Sequence, residues 1–483
     1  FATQEYRSWE AKLYEELRNV KAKVIVAAGR TALYALCRHT KISKWRGSIL
    51  EGTAIRDAVG NRVIDGYTVP YKVVATYHPA EVLYSTARKH ADKHLIELDI
   101  KRAQAESKDY FIHRPNRNLQ VAPTYDETIK YLRECMSCKA VAFDIEVINH
   151  EVSCISFAKS AFDCLSIPFV RTGNHYFTLE HEIQVWIEIA HLLGNPRVAK
   201  IAHNSVFDCG FLYSKYGIIT ENIEDTMIAQ AIVIPEFERS LAFCASVYTD
   251  EPYYKDERKV WNQMAEMDRQ FWYYNARDSA VAFEVWEALM EELVAADNVE
   301  TYRNQCAIVK PLVEMQDHGI VVDQIAVDTL REQVTKQLNE ISAKFSEVAP
   351  GVNPNSPKDL ANYFYVELGH KPYISKKSKK PSVDAIALTR MSREGMVQAQ
   401  ILQDYRQTNT VLTRYLRVKL DPDGRTRSSF NPVGAKNGRI SSGKTIFETG
   451  QNLQNVPKSL RTFLVASPGH YFLHVDLPQA ENR

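Results

Sequence analysis

Two carboxylates set the problem. In "VAFDIEV" (141–147) Asp144 and Glu146 stand two residues apart inside an apolar run. Strand alternation puts both on one face, where two negative charges repel. More acids follow downstream. "AHNSVFDCGFL" (202–212) sets Asp208 near a helix start, four residues after Asn204. "WYYNARDSAVAFEVW" (272–286) reads as helix, and Tyr274 and Asp278, four apart, share one of its faces. Four carboxylates and a phenol thus come from three separated segments. Clustered carboxylates need cations, and hard oxygen donors select Mg²⁺ or Mn²⁺. Two such ions about 4 Å apart can clamp the attacking and leaving oxygens of an in-line phosphoryl displacement. A tyrosine beside them can orient the attacking water.

The elements that must bring these groups together are legible in outline. "AVAFDIEV" and "VSCISFAKS" read as a hairpin-like pair of strands, "DCLSIPFV" (163–170) as a third, and "AKIAH" (199–203) as a short fourth. A helix is expected over 179–193, and helices dominate from there to about 296. Strands first and helices after give a mixed sheet covered by helices. Before this unit, a helix at 4–19, a strand–glycine–helix pattern at 22–36, a strand-then-loop pattern at 71–82 and a charged helix around 86–107 suggest a small α/β domain. "HRPNRNLQVAP" (113–123), polar and Pro-containing, reads as a linker. Residues 297–350 carry amphipathic helices broken at "DHGIVVD". Ser356 and Pro357 look like the N-cap and first residue of a further helix. From 425 onward strands and loops are expected, including an apolar strand in "HYFLHVDL" that ends at Asp476.

The chain of 483 residues has a formal net charge of +1, which hides an asymmetry. Residues 121–290 carry 14 Lys/Arg against 25 Asp/Glu, and residues 371–461 carry 18 against 6. One part suits cations and the other a polyanion. No apolar stretch is long enough to cross a bilayer, so no membrane partner is expected. Of the eight cysteines, only Cys135 and Cys138 form a CxxC, and no second pair completes a zinc site. Reduced, mostly buried thiols are expected. Phe1 is not an initiator, and the chain reads as a fragment of a soluble, intracellular protein.

At its acidic motifs the chain resembles the 3′–5′ exonucleases of the ribonuclease H-like fold, in their tyrosine-containing class. The resemblance implies two-metal hydrolysis at a single-stranded 3′ end, with Asp144, Glu146, Asp208 and Asp278 as ligands, Tyr274 holding the water and Asn204 in the second motif. "SSFNPVGAKNGRISS", "QNLQNVPKSLR" and "DLPQAENR" are similar to segments of the family A, polymerase I-like, DNA polymerases, and "EMQDHGIVVD" and "NSPKDL" resemble thumb segments of that family. This implies primer–template contacts by Arg439, Asn452, Gln454, Asn455 and Arg461. It also implies a metal and nucleotide site at Asp476, with Glu481 beside the sugar, and dNTPs as substrates of the complete protein. Pro478 stands where the family usually has serine. The family's nucleotide-binding helix and second catalytic aspartate are expected beyond Arg483, so this fragment is expected to degrade DNA without extending it. Replication accessory proteins are further expected partners, of no specified kind.

"KVIVAAGRTALYAL", "WRGSI" and "VVATYHPAEV" resemble the later part of the uracil-DNA glycosylase superfamily, with Thr76-Tyr77-His78-Pro79 at a strand end. A non-catalytic role is expected for that part. The fold expected is multidomain α/β. It comprises a glycosylase-like domain at 1–112, a linker at 113–123, an exonuclease domain at 124–297, a helical thumb-like region at 298–424 and the start of a palm at 425–483. Two other functions fit fewer of the motifs: a stand-alone exonuclease, or a non-catalytic DNA-binding scaffold.

Overall fold

The computed structural model describes residues 4–84, 89–172, 174–260, 265–375 and 380–475. The chain divides into two compact units, 1–314 with 431–440 and 315–430 with 441–483.

The first unit begins with a small α/β region. Its central strand, Lys72–Thr76, is buried at every residue. It pairs in parallel with Ile25–Ala28 and antiparallel with Ile49–Glu51. Helices Gln4–Asn19 and Arg30–Cys37 cover one side, with Tyr14, Leu33 and Leu36 packed on Val73 and Ala75.

A six-stranded mixed sheet follows, in the order Ile223–Asp225, Ala199–Ala202, Ala140–Ile148, Glu151–Ser160, Asp163–Pro168, Asn118–Val121. The strand carrying Asp144 and Glu146 lies inside it, parallel to Ala199–Ala202 and antiparallel to Glu151–Ser160. Asn149 (φ 50°) and His150 (φ 64°) turn that hairpin. Two successive positive-φ residues give the twist that two-residue hairpins favour. A bulge interrupts the register just after Glu146, and such irregularities re-aim neighbouring side chains. The 31-residue helix Ala265–Ala295 packs across the sheet. Its Ala276 and Ala280 meet Ala142, Ala158 and Cys164, small side chains that let helix and strands approach closely.

Two expectations need correction. The stretch 113–123 is not simply linker: Asn118–Val121 is an edge strand parallel to Asp163–Pro168. Its alternate residues are exposed, so its polar composition reads as loop. Residues 471–475 form no strand. No described strand pairs with them, and Tyr471, Phe472, Leu473 and Val475 stay exposed.

The second unit is mostly helical. Asp323 caps the 25-residue helix Gln324–Val348 by accepting from the Ala326 amide. Ser356 caps the helix at Pro357–Asn362, with proline at its first turn as expected. Phe345, Leu360, Phe364, Leu388 and Leu402 form one core. Val327, Leu416, Leu460 and Phe463 form another, beside a three-stranded antiparallel sheet centred on Ile320–Val322. All eight cysteines are free thiols, and all but Cys138 are buried. No described helix is long and apolar enough to cross a membrane.

Gly450 has φ +70°, and a Cβ there would lie 1.9 Å from the Arg427 carbonyl oxygen. Gly450→Ala therefore combines a backbone clash with left-handed strain. It should lower stability by more than about 2 kcal/mol, measured by denaturant unfolding. A change within about 0.5 kcal/mol would contradict this packing.

Candidate active site

Asp144 and Glu146 leave the same face of their strand, as alternation requires. The long helix brings Asp278 over that face. One carboxylate oxygen of each of the three lies within 4.8 Å of the others. Asp208, in the first turn of helix Ser205–Tyr216, reaches the same strand: its Oδ1 accepts from the amide of Ile145, between the two acids, at 3.1 Å. It lies outside the tight trio but against the strand's backbone. Tyr274 stands one turn before Asp278 and is 4% exposed.

Burial dominates the electrostatics. It pushes Asp144 well above the usual carboxylate range, and Asp278, Asp208 and Glu146 push it further. Burial raises Glu146 to about 7, against the pull of Arg258. Asp208 rises to about 8, again mainly through burial. The Tyr274 hydroxyl is also raised, by burial and then by Asp278, Glu146 and Asp144, so it stays protonated and able to donate. Each like-charged pair at such separations repels by roughly 3–4 kcal/mol at an effective dielectric of about 20. Side chains of one short segment supply part of the compensation. Lys255 pairs with Asp278 and donates to Tyr274 Oη at 3.2 Å, while Arg258 pairs with Glu146 at 3.0 Å. Tyr254 Oη donates to Asp278 at 2.6 Å.

Four residues that position the acids carry no signal in the sequence. Asn275 Nδ2 donates to Asp144 Oδ2 at 2.9 Å and to its carbonyl at 3.1 Å, and Asn275 Oδ1 accepts from Ser166 at 2.9 Å. Ser156 Oγ donates to the Asn275 carbonyl at 2.9 Å, tying the helix to the sheet. Asp225 accepts from the amides of Asn204 (3.2 Å) and Ser205 (2.7 Å) and of Met227 (2.7 Å), so one carboxylate holds two helix starts. Asn204 sits in this turn with φ 67°, a left-handed conformation that asparagine tolerates. The sequence shows Asn204 but not the buried Asp225 that holds its turn.

Beside the acids opens a pocket of about 390 Å³ lined by Ile148, Lys255, Arg258, Lys259, Phe271 and Tyr274. Cations and aromatic rings of this kind suit a nucleotide's phosphate and base. The donor set is all carboxylate and hard, and its buried charge is only partly neutralised, which fits a divalent cation of the Mg²⁺ type.

The remaining sequence-derived residues lie elsewhere. Arg439 is exposed on the 431–440 segment of the first unit. In the second unit, Ser442 Oγ donates to Asn452 Oδ1 at 2.8 Å and to Gln454 Oε1 at 3.0 Å, and Asn452 also caps the turn at Leu453–Asn455. Arg461 is exposed and donates to the Val456 carbonyl at 3.1 Å. Asp476 and Glu481 lie outside the described residues.

The raised acids have a stability consequence. Between about pH 4 and pH 8 the metal-free fold holds more protons at Glu146 and Asp208 than the unfolded chain does. Their contribution to stability therefore falls as pH rises through that window. In chelator, the melting temperature should drop from about pH 5 to about pH 8, less steeply in Asp208→Asn, and divalent metal should narrow the drop by binding the deprotonated acids. An identical pH slope in Asp208→Asn and the parent chain would contradict the buried-acid geometry.

Comparison with known proteins agrees with this arrangement. Residues 119–294 match the family model described as 3′-5′ exonuclease, and residues 324–483 match that of DNA polymerase family A. DNA polymerase I of Chloroflexus aurantiacus is 27% identical over 378 residues, covering 72% of this chain and 38% of that protein. DNA polymerase I of Rhizobium leguminosarum is 25% identical over 313 residues, covering 60% and 30%. The chain thus spans well under half the length of these relatives. In fold it is similar to a solved POL domain of Pol1 from M. smegmatis in complex with DNA primer-template and dNTP. The TM-score is 0.56 at 21% identity, over 73% of this chain and 59% of that one. The chain carries a 3′–5′ exonuclease domain followed by sequence of DNA polymerase family A.

Proposed function

We propose that residues 124–297 hydrolyse DNA from a single-stranded 3′ end, as the proofreading part of a family A DNA polymerase. The observation that carries this reading is the convergence of Asp144, Glu146 and Asp278 oxygens within 4.8 Å, inside the segment that matches the exonuclease family. Asp144, Glu146, Asp208 and Asp278 would hold two Mg²⁺ or Mn²⁺ ions. Bound there, such ions would supply an activated water and neutralise charge on the scissile phosphate. The chain's own residues do the rest. The Tyr274 hydroxyl, kept protonated, orients the attacking water. Asn275 fixes the rotamer of Asp144. Phe271, Arg258 and Lys259 line the pocket that receives the terminal nucleotide.

The basic second unit, and the 431–440 segment of the first that carries Arg439, each fit a DNA-binding role in the same protein. Arg439, Asn452, Gln454, Asn455 and Arg461 are assigned to duplex contacts, and Asp476 and Glu481 to a metal-bound dNTP in the complete polymerase. Residues 1–112 are read as a glycosylase-like domain without catalysis, and the protein as one that works in the cytoplasm.

Three outcomes test these readings. With Mg²⁺ the chain should shorten a labelled single strand, and Asp144→Ala should slow this by more than about a hundredfold. Asn275→Ala, which leaves every carboxylate in place, should cost about ten- to a hundredfold. Degradation that persists at the wild-type rate in Asp144→Ala would sink the metal-site assignment. In duplex-binding titrations, Arg439→Ala and Arg461→Ala should each weaken affinity and reduce the salt slope by about one. Unchanged slopes would remove those two residues from the interface.

A further inference from the structure

Residues 246–256 touch the carboxylates on one side and the amino-terminal α/β region on the other. Toward the acids, Tyr254 and Lys255 reach Asp278, and Arg258, just beyond, reaches Glu146. From the other side Arg102 donates to the carbonyls of Ser246 (3.0 Å), Val247 (3.3 Å) and Thr249 (2.9 Å). These lie at the end of helix Leu241–Tyr248, where carbonyls lack partners within the helix. Arg46, held by a buried pair with Asp99, donates to Ser246 Oγ at 2.9 Å. The Tyr253 amide donates to Ser48 Oγ at 3.2 Å, and Lys44 pairs with Asp256 at 2.6 Å. The Trp45 ring, stacked on His39, meets Tyr253 edge-on at 5.3 Å. Contact is close throughout: Gly47 has φ +76°, and a Cβ there would lie 2.6 Å from the Ser246 carbonyl oxygen.

We propose that the amino-terminal region is a positioning element of the exonuclease site: its 44–48 segment and Arg102 lock residues 246–256, so that Tyr254 and Lys255 stay on Asp278 and Arg258 on Glu146. The inference rests on the exonuclease reading above. Lysine and arginine side chains are long and flexible, and their value beside a reacting phosphate depends on being held before the reaction begins. Residues 249–256 have no regular structure that could hold them. Their order comes from the hydrogen bonds, ion pair and ring contact just described, together with the pair of Glu251 with Arg117 and the Arg277 guanidinium over the Tyr254 ring. None of the bracing residues touches the carboxylate trio, so they act through the loop.

The test uses the full chain with Lys44→Ala and Arg102→Ala combined, and Lys44→Arg as the conservative comparison. Single-turnover degradation of a labelled single strand with Mg²⁺ is measured alongside amide hydrogen exchange. In the double variant the rate at saturating DNA should fall about ten- to a hundredfold, with half-saturation changed by less than about threefold. Exchange should quicken over residues 246–260 while the strand at 140–148 stays protected. Lys44→Arg should keep the parental rate and exchange. A parental rate in the double variant, or unchanged exchange over 246–260, overturns the proposal. If protection at 140–148 is also lost, Ser48→Ala, which removes a single hydrogen bond, is judged by the same two criteria. A parental chain that leaves the strand intact overturns the exonuclease reading instead, and the exchange comparison still decides whether the brace exists.

Discussion

Like charges forced together away from water are the constraint on which the rest of this site depends. Asp144, Glu146 and Asp278 converge within 4.8 Å, and Asp208 accepts from the backbone of the same strand. No fold gathers such groups for stability, because each pair costs more than an ordinary hydrogen bond returns. The surroundings are arranged to hold them there regardless. The strand lies inside the sheet, the helix is stitched to it by Ser156 and Asn275, and Asp225 fixes the start of the helix that carries Asp208. With no metal present, protonation and two basic side chains relieve the repulsion. A divalent cation would relieve it more directly, and that difference in free energy is what a metal-dependent hydrolase can use.

The basic side chains are as informative as the acidic ones. Lys255 and Arg258 come from a short segment whose other side is gripped by residues 44–48 and Arg102. A region that looks like a separate domain by sequence is thereby joined to the acidic site through one loop. The second unit gathers much of the basic sequence, and there the Asn and Gln side chains are ordered by Ser442.

Much of this was legible in the chain because it depends on local periodicity. Alternation showed that Asp144 and Glu146 share a face, the four-residue spacing showed the same of Tyr274 and Asp278, and Ser356 before Pro357 announced a helix start. What stayed hidden depends on contacts distant in sequence. Nothing near Asn275 signals that it will grip Asp144, 131 residues away. Nothing in "TDEPYYKDERK" tells that Lys255 faces Asp278 while its neighbours Tyr253 and Asp256 face another region. The strand Asn118–Val121 was obscured because an edge strand exposes alternate residues and so reads as loop. Residues 471–475 show the reverse: an apolar run promises a strand only if a partner strand lies beside it.

The most direct measurement is the anomalous X-ray signal of crystals soaked in Mn²⁺. The account predicts density among the carboxylates of Asp144, Glu146 and Asp278, at metal–oxygen distances of about 2.0–2.3 Å. Crystals that take up no Mn²⁺ there would contradict it.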